Sequence, residues 1–475
     1  MNMSNDPVCG MKVDEMHAEF AEMDGRKFYF CSDSCRQKFL SAPGRKSSLR
    51  WHRLRRLRDT GTLIYARLRP RAGRKLPKDL RAENVGALAE EFAWGVHDDC
   101  FEELVGRIKT GAIHKGNQVQ LFFRGEDAFA SVIHDIASAK EEILLETYIL
   151  KDDETGRKLL AMLGAAAARG VKVRVLADAY GSWSTKWKFW NKMHVFGIDA
   201  HLFHPFWSGF RNILFRDHRK IIVIDRRISF TGGMNVANEY GLLRRKRGHP
   251  YRDTHIRIEG PASWEMALVF GEGWVRSRGV SLHLPPLVRT DADGVRTLVL
   301  DSRSGRGHGE MASVLASLVG ASRKRLWITN SYFAPNRTAI RLLTRAARRG
   351  VDVRLLLQGP SDIPLVRHAG HGNYSELLAN GVRIFEYQTA VLHAKTIVVD
   401  DYVSVVGSSN LDFRSFYFNA ECNVLIFDDA AGQGMVNAFM EDLEQAEEIT
   451  LESWNRRPLM HRCLDAVVHC LSPLL

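Results

Sequence analysis

The sequence predicts an α/β fold: two pseudo-symmetric sheet-and-helix halves, made by duplication and sharing one active site, behind a small N-terminal cysteine-containing domain. Three observations predict it. HRKIIVIDRRISFTGGMN, His218 to Asn235, returns 175 residues later as HAKTIVVDDYVSVVGSSN, His393 to Asn410. The residues upstream repeat as well: GRKLLAMLGAAAARGVKVRVLAD (156–178) matches AIRLLTRAARRGVDVRLLLQG (339–359), with Gly170 over Gly350. The first 43 residues are unlike both copies and hold three of the seven cysteines.

Four segments follow in order. Residues 1–43 form the N-terminal piece, 44–82 a basic linker, 83–280 the first half of the body and 281–475 the second. Residues 1–43 carry five Lys/Arg against seven Asp/Glu, whereas residues 44–82 carry fourteen against two, so the net charge of +12 belongs to the linker. Such a segment attracts anionic lipid or nucleic acid. Its interleaved Leu49, Trp51, Leu54, Leu57, Leu63, Ile64 and Tyr65 favour a membrane surface, because they can dip below the headgroups.

A helix is expected over about Asn84 to Lys109, where Leu88, Phe92, Val96, Leu104 and Ile108 recur at helical spacing. In the body, each copy reads as a strand (EEILLETYIL, KRLWITNSYF), a helix ending in glycine, and a second strand. A further strand (FGIDAHLF, NGVRIFEY) then precedes the repeated motif. The copies differ before that motif: fourteen residues, HPFWSGFRNILFRD (204–217), precede His218, and only five, 388–392, precede His393. The aromatic insertion suits an apolar lip beside a site for acyl chains. No apolar run reaches the roughly 18–20 residues that cross a bilayer, and MNMSNDPVCGM is no secretory signal. A peripheral protein on the cytoplasmic face of a membrane is expected.

The motif carries the chemistry. Residues two apart in a strand share a face, so His218 projects with Lys220, and His393 with Lys395. Asp225 and Asp400, seven residues after each His, close the strands at turns and complete the catalytic candidates. Gly233 and Ser408, with Asn235 and Asn410, are expected to bind phosphate, their backbone N–H groups forming a nest. Two imidazoles and two ammoniums around one anion suit covalent phosphoryl transfer, one His attacking and the other protonating the leaving alkoxide. No cofactor is expected for catalysis. Asp253, 35 residues after His218, and Glu421, 28 after His393, are the expected orienting carboxylates.

Both motifs match the HxKxxxxD(x)6G[GS]xN pattern of the phospholipase D superfamily, which the chain resembles over about residues 118–445. LLETYIL, DHRKIIVID, TGGMN, YRDTHIRIEGP, SYFAPN, LHAKTIVVD and VGSSNLDFRSF make it most similar to bacterial cardiolipin synthases of the type without transmembrane spans. The resemblance implies a phosphatidyl-histidine intermediate, attacked by a second phosphatidylglycerol to give cardiolipin and glycerol. The two histidines alone would equally allow water as acceptor, giving phosphatidic acid, or a nuclease reaction. Arg252, Asp253 and the aromatic insertion favour phosphatidylglycerol in an anionic membrane over nucleic acid.

In the N-terminal piece, DPVCGMKV and FYFCSDSC put cysteines at 9, 31 and 35. Three thiols so close favour a metal over disulfides in a cytosolic protein, and thiolates suit Zn or Cu. The piece resembles the YHS domain, which implies Cys9, Cys31 and Cys35 as ligands, with His17 near that family's His.

Overall fold

The computed structural model describes residues 3–5, 11–23, 26–41, 81–108, 112–205, 215–241, 250–278, 281–282, 284, 293–302 and 309–470. Cys9, the basic linker up to residue 80 and residues 206–214 of the aromatic insertion lie outside these. The chain divides into two compact units, residues 1–72 with 91–94 and the remainder.

In the smaller unit, β1 (Met3–Asn5) pairs antiparallel with β2 (Lys12–Asp14), and β3 (Glu19–Met23) with β4 (Arg26–Phe30). Helix α1 (Asp33–Ser41) follows, and Phe30 is fully buried.

The larger unit opens with α2 (Ala82–Ala89) and α3 (Asp99–Ile108). The single helix expected over 84–109 is thus broken. Gly95 adopts φ +62° and leads a 3-10 turn, Gly95–His97, a conformation an α-helix does not accept.

The first half contributes β5 (His114–Phe122), β6 (Glu142–Thr147), β7 (Lys172–Asp178), β8 (Asp199–Phe203), β9 (Ile221–Ile224), β10 (Ile228–Gly232) and β11 (His255–Glu259). The second contributes β12 (Val295–Ser302), β13 (Arg325–Asn330), β14 (Phe333–Ala334), β15 (Asp352–Gln358), β16 (Arg383–Tyr387), β17 (Lys395–Val399), β18 (Val403–Gly407), β19 (Leu411–Asp412), β20 (Glu421–Phe427) and β21 (Ala446–Ile449). Fifteen of these strands form one sheet, ordered β21-β16-β15-β13-β17-β18-β20-β12-β5-β11-β10-β9-β6-β7-β8. The order read outward from β5 repeats that read outward from β12, so the duplication is written into the topology. Antiparallel pairing of β12 with β5 fuses the two halves into a continuous sheet.

The strands fit this position because they are apolar on both faces, as β6 (EILLET) and β20 (ECNVLIF) are, every residue being buried. Along β9, Ile222 and Ile224 join an apolar cluster of the first half, while Ile221 and Val223 join a cluster shared by both halves. The repeated helices start and stop alike. Asp153 caps Glu154–Ala168 by accepting from the Gly156 N–H at 3.0 Å, and Asn336 caps Arg337–Arg348 from the Ala339 N–H at 2.9 Å. Gly170 and Gly350 end them at φ +91° and +89°, where the left-handed backbone, not crowding, requires glycine.

Candidate active site

His218 and His393 each sit just ahead of the hairpin strands that the motif builds, in a single bridge to the opposite half. Asp217 bridges Ala420, and Leu392 bridges Arg252. The His218 N–H donates to the Ala420 carbonyl at 2.9 Å, and the His393 N–H to the Arg252 carbonyl at 2.7 Å. The next residue on each facing chain is Glu421 or Asp253, which fixes the carboxylates. The imidazole Nδ1 of His218 lies 3.1 and 3.0 Å from the two oxygens of Glu421, and that of His393 lies 2.8 Å from Asp253 Oδ2. Both carboxylates thus lie against an imidazole, but crossed: Glu421 of the second half meets His218 of the first, and Asp253 of the first meets His393 of the second.

The lysines complete the cluster. Lys220 Nζ donates to the His218 carbonyl at 2.6 Å; Lys395 Nζ donates to the His393 carbonyl and stands 3.0 Å from its Nδ1. All four side chains are buried. Burial, opposed by Glu421, takes Lys220 down to about 7, and burial, opposed by Asp253, takes Lys395 down to about 8. Burial also lowers both imidazoles. The neighbouring Lys395, Lys220 and His218 charges press His393 further down, and Lys220 and Lys395 do the same to His218. The crossed Glu421–His218 and Asp253–His393 contacts, each beside a bridge between the halves, bring the two sets together.

The carboxylates are not equivalent. Glu421 accepts from His218, from Ser408 Oγ at 2.6 Å, from Ser415 Oγ at 2.9 Å and from Asn419 Nδ2 at 3.4 Å. Burial pushes Glu421 up, but His218, Lys220 and Ser408 outweigh it and hold it below the usual range. Asp253 accepts from His393 and from the Thr254 N–H at 2.7 Å, and burial carries it up to about 6 against the pull of Lys395.

Four expectations are corrected. Asp225 and Asp400 lie outside the cluster, at hairpin tips with φ +50° and +49°. Asp225 follows Lys220 by five positions across the four-residue strand Ile221–Ile224, about 16 Å at the usual rise. Asp225 instead accepts the N–H groups of Lys140, Glu141 and Glu142 at 2.9, 2.7 and 2.9 Å, and Asp400 those of Arg323, Lys324 and Arg325 at 2.8, 2.7 and 2.9 Å. They tie each hairpin to the start of its neighbouring strand. Gly233 and Ser408 form no anion nest, since their N–H groups donate to the Thr254 and Cys422 carbonyls at 3.1 and 3.0 Å. A Cβ on Gly233 would lie 2.1 Å from Asp253 Oδ1, so this glycine makes room for the carboxylate. At the matching position Ser408 supplies a hydroxyl to Glu421.

Asn235 is occupied by the Ile149 N–H at 3.1 Å and the Tyr240 hydroxyl at 2.9 Å; Asn410 Oδ1 accepts from Ser331 Oγ at 2.9 Å. Both asparagines are thus engaged in shaping the walls.

Four tyrosines that sequence reasoning did not single out surround the imidazoles. Tyr148 packs edge-on against His218 with centroids 4.9 Å apart. Tyr240, Tyr251 and Tyr332 surround His393 at 5.2, 6.1 and 6.1 Å. Lys220 Nζ lies 5.4 Å over Tyr148 and Lys395 Nζ 5.9 Å over Tyr332. The signal was present, because Tyr148 in LLETYIL and Tyr332 in ITNSYF follow matching strands.

In the smaller unit, Cys31 Sγ and Cys35 Sγ are 3.7 Å apart. That separation suits two thiolates on one tetrahedral metal, for which Zn–S bonds of about 2.3 Å give nearly the same spacing.

Comparison with known proteins adds to this geometry. The family model described as "Cardiolipin synthase, PLD-like domain" matches residues 132–243 and 315–443, and the YHS domain model matches residues 4–45. A cardiolipin synthase of Geobacillus sp. (strain WCH70) is 33% identical over 393 residues, covering 81% of this chain and 78% of the relative. Cardiolipin synthase 1 of Bacillus cereus is 31% identical over 386 residues, covering 78% of this chain and 75% of that one. Among solved structures, phosphatidylserine synthase of Haemophilus influenzae Rd KW20 superposes with a TM-score of 0.61 at 14% identity. It covers 78% of this chain and 100% of that one, a likeness of fold.

Proposed function

Given that the chain belongs to the phospholipase D-like cardiolipin synthase family, and is a phosphatidyltransferase, we propose that it joins two phosphatidylglycerol molecules into cardiolipin and glycerol. The observation that carries this reading is the pair of buried His–Lys sets, each imidazole held at Nδ1 by a carboxylate so that Nε2 faces away from it, that of His393 within 3.5 Å of the Tyr240 hydroxyl.

Nε2 of one histidine attacks phosphorus, and the bond to the headgroup glycerol oxygen breaks. The other histidine gives that oxygen its Nε2 proton, and glycerol leaves. A hydroxyl of the second phosphatidylglycerol then returns a proton to this second histidine and attacks phosphorus, releasing the first. Lys220 and Lys395, as ammoniums, hold the charge on the phosphoryl oxygens.

We assign attack to His218. A phosphorylated imidazole that keeps its Nδ1 proton is cationic for the life of the intermediate, and Glu421, kept ionised by its donors, stabilises that cation. His393, pressed down by burial and Lys395, gives up its proton readily once the substrate's anion has charged it.

The protein is incubated with phosphatidylglycerol vesicles and the lipids are separated. Cardiolipin and glycerol are expected; phosphatidic acid alone would make water the acceptor and end the transferase reading. A phosphatidyl ester of p-nitrophenol, which leaves without a proton, tests the assignment. His393→Ala keeps a first burst of p-nitrophenol and His218→Ala loses it, each having lost about 10⁴-fold or more on phosphatidylglycerol. The opposite pattern would exchange the roles. The enzyme works at a phospholipid surface, and the Cys31 and Cys35 thiols hold Zn or Cu that the transfer itself does not use.

A further inference from the structure

The helix Leu459–Cys470 (LMHRCLDAVVHC) is amphipathic, and it is mounted the wrong way round for a globular protein. Leu459, Met460, Cys463, Leu464 and Val467 lie on one side at helical spacing, and all are exposed, Leu459 at 73%, Met460 at 76% and Val467 at 64%. Such a stripe ordinarily faces the core. Single exposed apolar residues are common, whereas a contiguous row marks a contact surface.

The opposite side is locked to the body by polar contacts. Buried Asp465 accepts from His368 Nδ1 at 2.7 Å, from His371 Nδ1 at 3.3 Å and from Arg457 at 2.6 Å. His371 also reaches Glu386 through Nε2 at 3.2 Å, and His469 Nδ1 donates to the Ala369 carbonyl at 2.9 Å. Gly372 lets the His469 ring come close, since a Cβ there would lie 2.4 Å from it. The helix cannot turn its apolar side inward without leaving a buried carboxylate unpaired.

Two observations identify what covers the stripe. Within the helix Arg462 is exposed while Asp465 is buried against Arg457, and Arg456 before it pairs with the exposed Glu452, so the outward charge of the helix itself is positive through Arg462. The helix on which it packs, Pro364–His371, begins two residues after Asp362, which accepts from the Tyr332 hydroxyl at 2.8 Å beside His393. At the head of that helix Ile363 and Leu365 are exposed as well. We propose that Leu459–Cys470 docks the protein on an anionic phospholipid surface, its apolar stripe among the acyl chains and Arg462 at the headgroups. This rests on the phospholipid reaction proposed above, and it gives the substrate a short route from bilayer to site.

Sedimentation of the full chain with phosphatidylglycerol vesicles tests it, alongside turnover of dihexanoyl phosphatidylglycerol, a substrate that needs no bilayer. Met460→Gln with Val467→Gln, both at exposed positions, is expected to lower vesicle partition about tenfold or more and leave turnover of the dispersed lipid unchanged. Met460→Leu with Val467→Leu restores partition. The basic linker acts equally in every variant, so the ratio isolates the stripe. Unchanged partition in the glutamine variant would overturn the proposal. So would a wild-type dimer, seen by analytical ultracentrifugation, that this variant splits, because the stripe would then cover a second copy. Absence of turnover on either lipid would sink the reaction instead, since partition is read without it.

Discussion

The two halves present the same five motif positions, yet the cradles of their imidazoles differ. Glu421, under His218, takes hydroxyls from Ser408 and Ser415 and an amide from Asn419; Asp253, under His393, takes one backbone N–H and lies beneath a glycine. Glutamate goes with serine and aspartate with glycine at the matching motif position. The longer acid has a hydroxyl donor, and the shorter one needs the Cβ space. Duplication therefore left the geometry symmetric and let the electrostatics diverge, which is what the reaction proposed above, with one persistent cation and one shuttling proton, would require.

That contrast can be broken at several points. Glu421→Gln removes the permanent anion at Nδ1 and is expected to lower kcat about 10³-fold or more, whereas Asp253→Asn costs about tenfold to a hundredfold. Equal losses, measured as initial rates on phosphatidylglycerol, would erase the distinction. Gly233→Ala drives its Cβ to within 2.1 Å of Asp253 Oδ1 and is expected to cost about 10²-fold in kcat by displacing that carboxylate. Near-ultraviolet circular dichroism should stay that of the wild type.

The lysines sharpen the picture through pH. Burial sets Lys220 at about 7 and Lys395 at about 8, so raising pH strips the protons that hold phosphate. The profile of kcat/KM should fall on its alkaline side over that range, and Lys220→Arg, which does not deprotonate, should move the onset upward from about 7 towards the Lys395 value of about 8. The smallest effect on chemistry belongs to Asp225→Ala. Loss of three backbone donors' acceptor is expected to lower stability by about 3 kcal/mol, read from urea unfolding, with turnover of the folded fraction kept.

Much of this was legible in the chain. The repeat at 175 residues gave the halves, and alternation along the motif put His218 with Lys220 and sent Ile221 and Val223 to a core. What was not legible depends on contacts between distant segments. Spacings of 35 and 28 residues suggest that each carboxylate serves its own half, and only the Asp217–Ala420 and Leu392–Arg252 bridges reveal the exchange. The role of Asp225 was hidden for the same reason, because its partners, Lys140 to Glu142, precede it by more than 80 residues. The helix over 84–109 failed at Gly95, where apolar periodicity carries no information about φ.

The crossed carboxylates also bear on how such a protein is born. A chain that has emerged only as far as residue 280 has His218 without Glu421, and Asp253 without a histidine to hold. Competence therefore arrives in one step, when the halves close on each other, and a truncated or half-folded product is chemically silent towards the lipids around it. A single-half ancestor would have met the same requirement by pairing with a second copy of itself, and fusion of the two genes then freed each cradle to specialise.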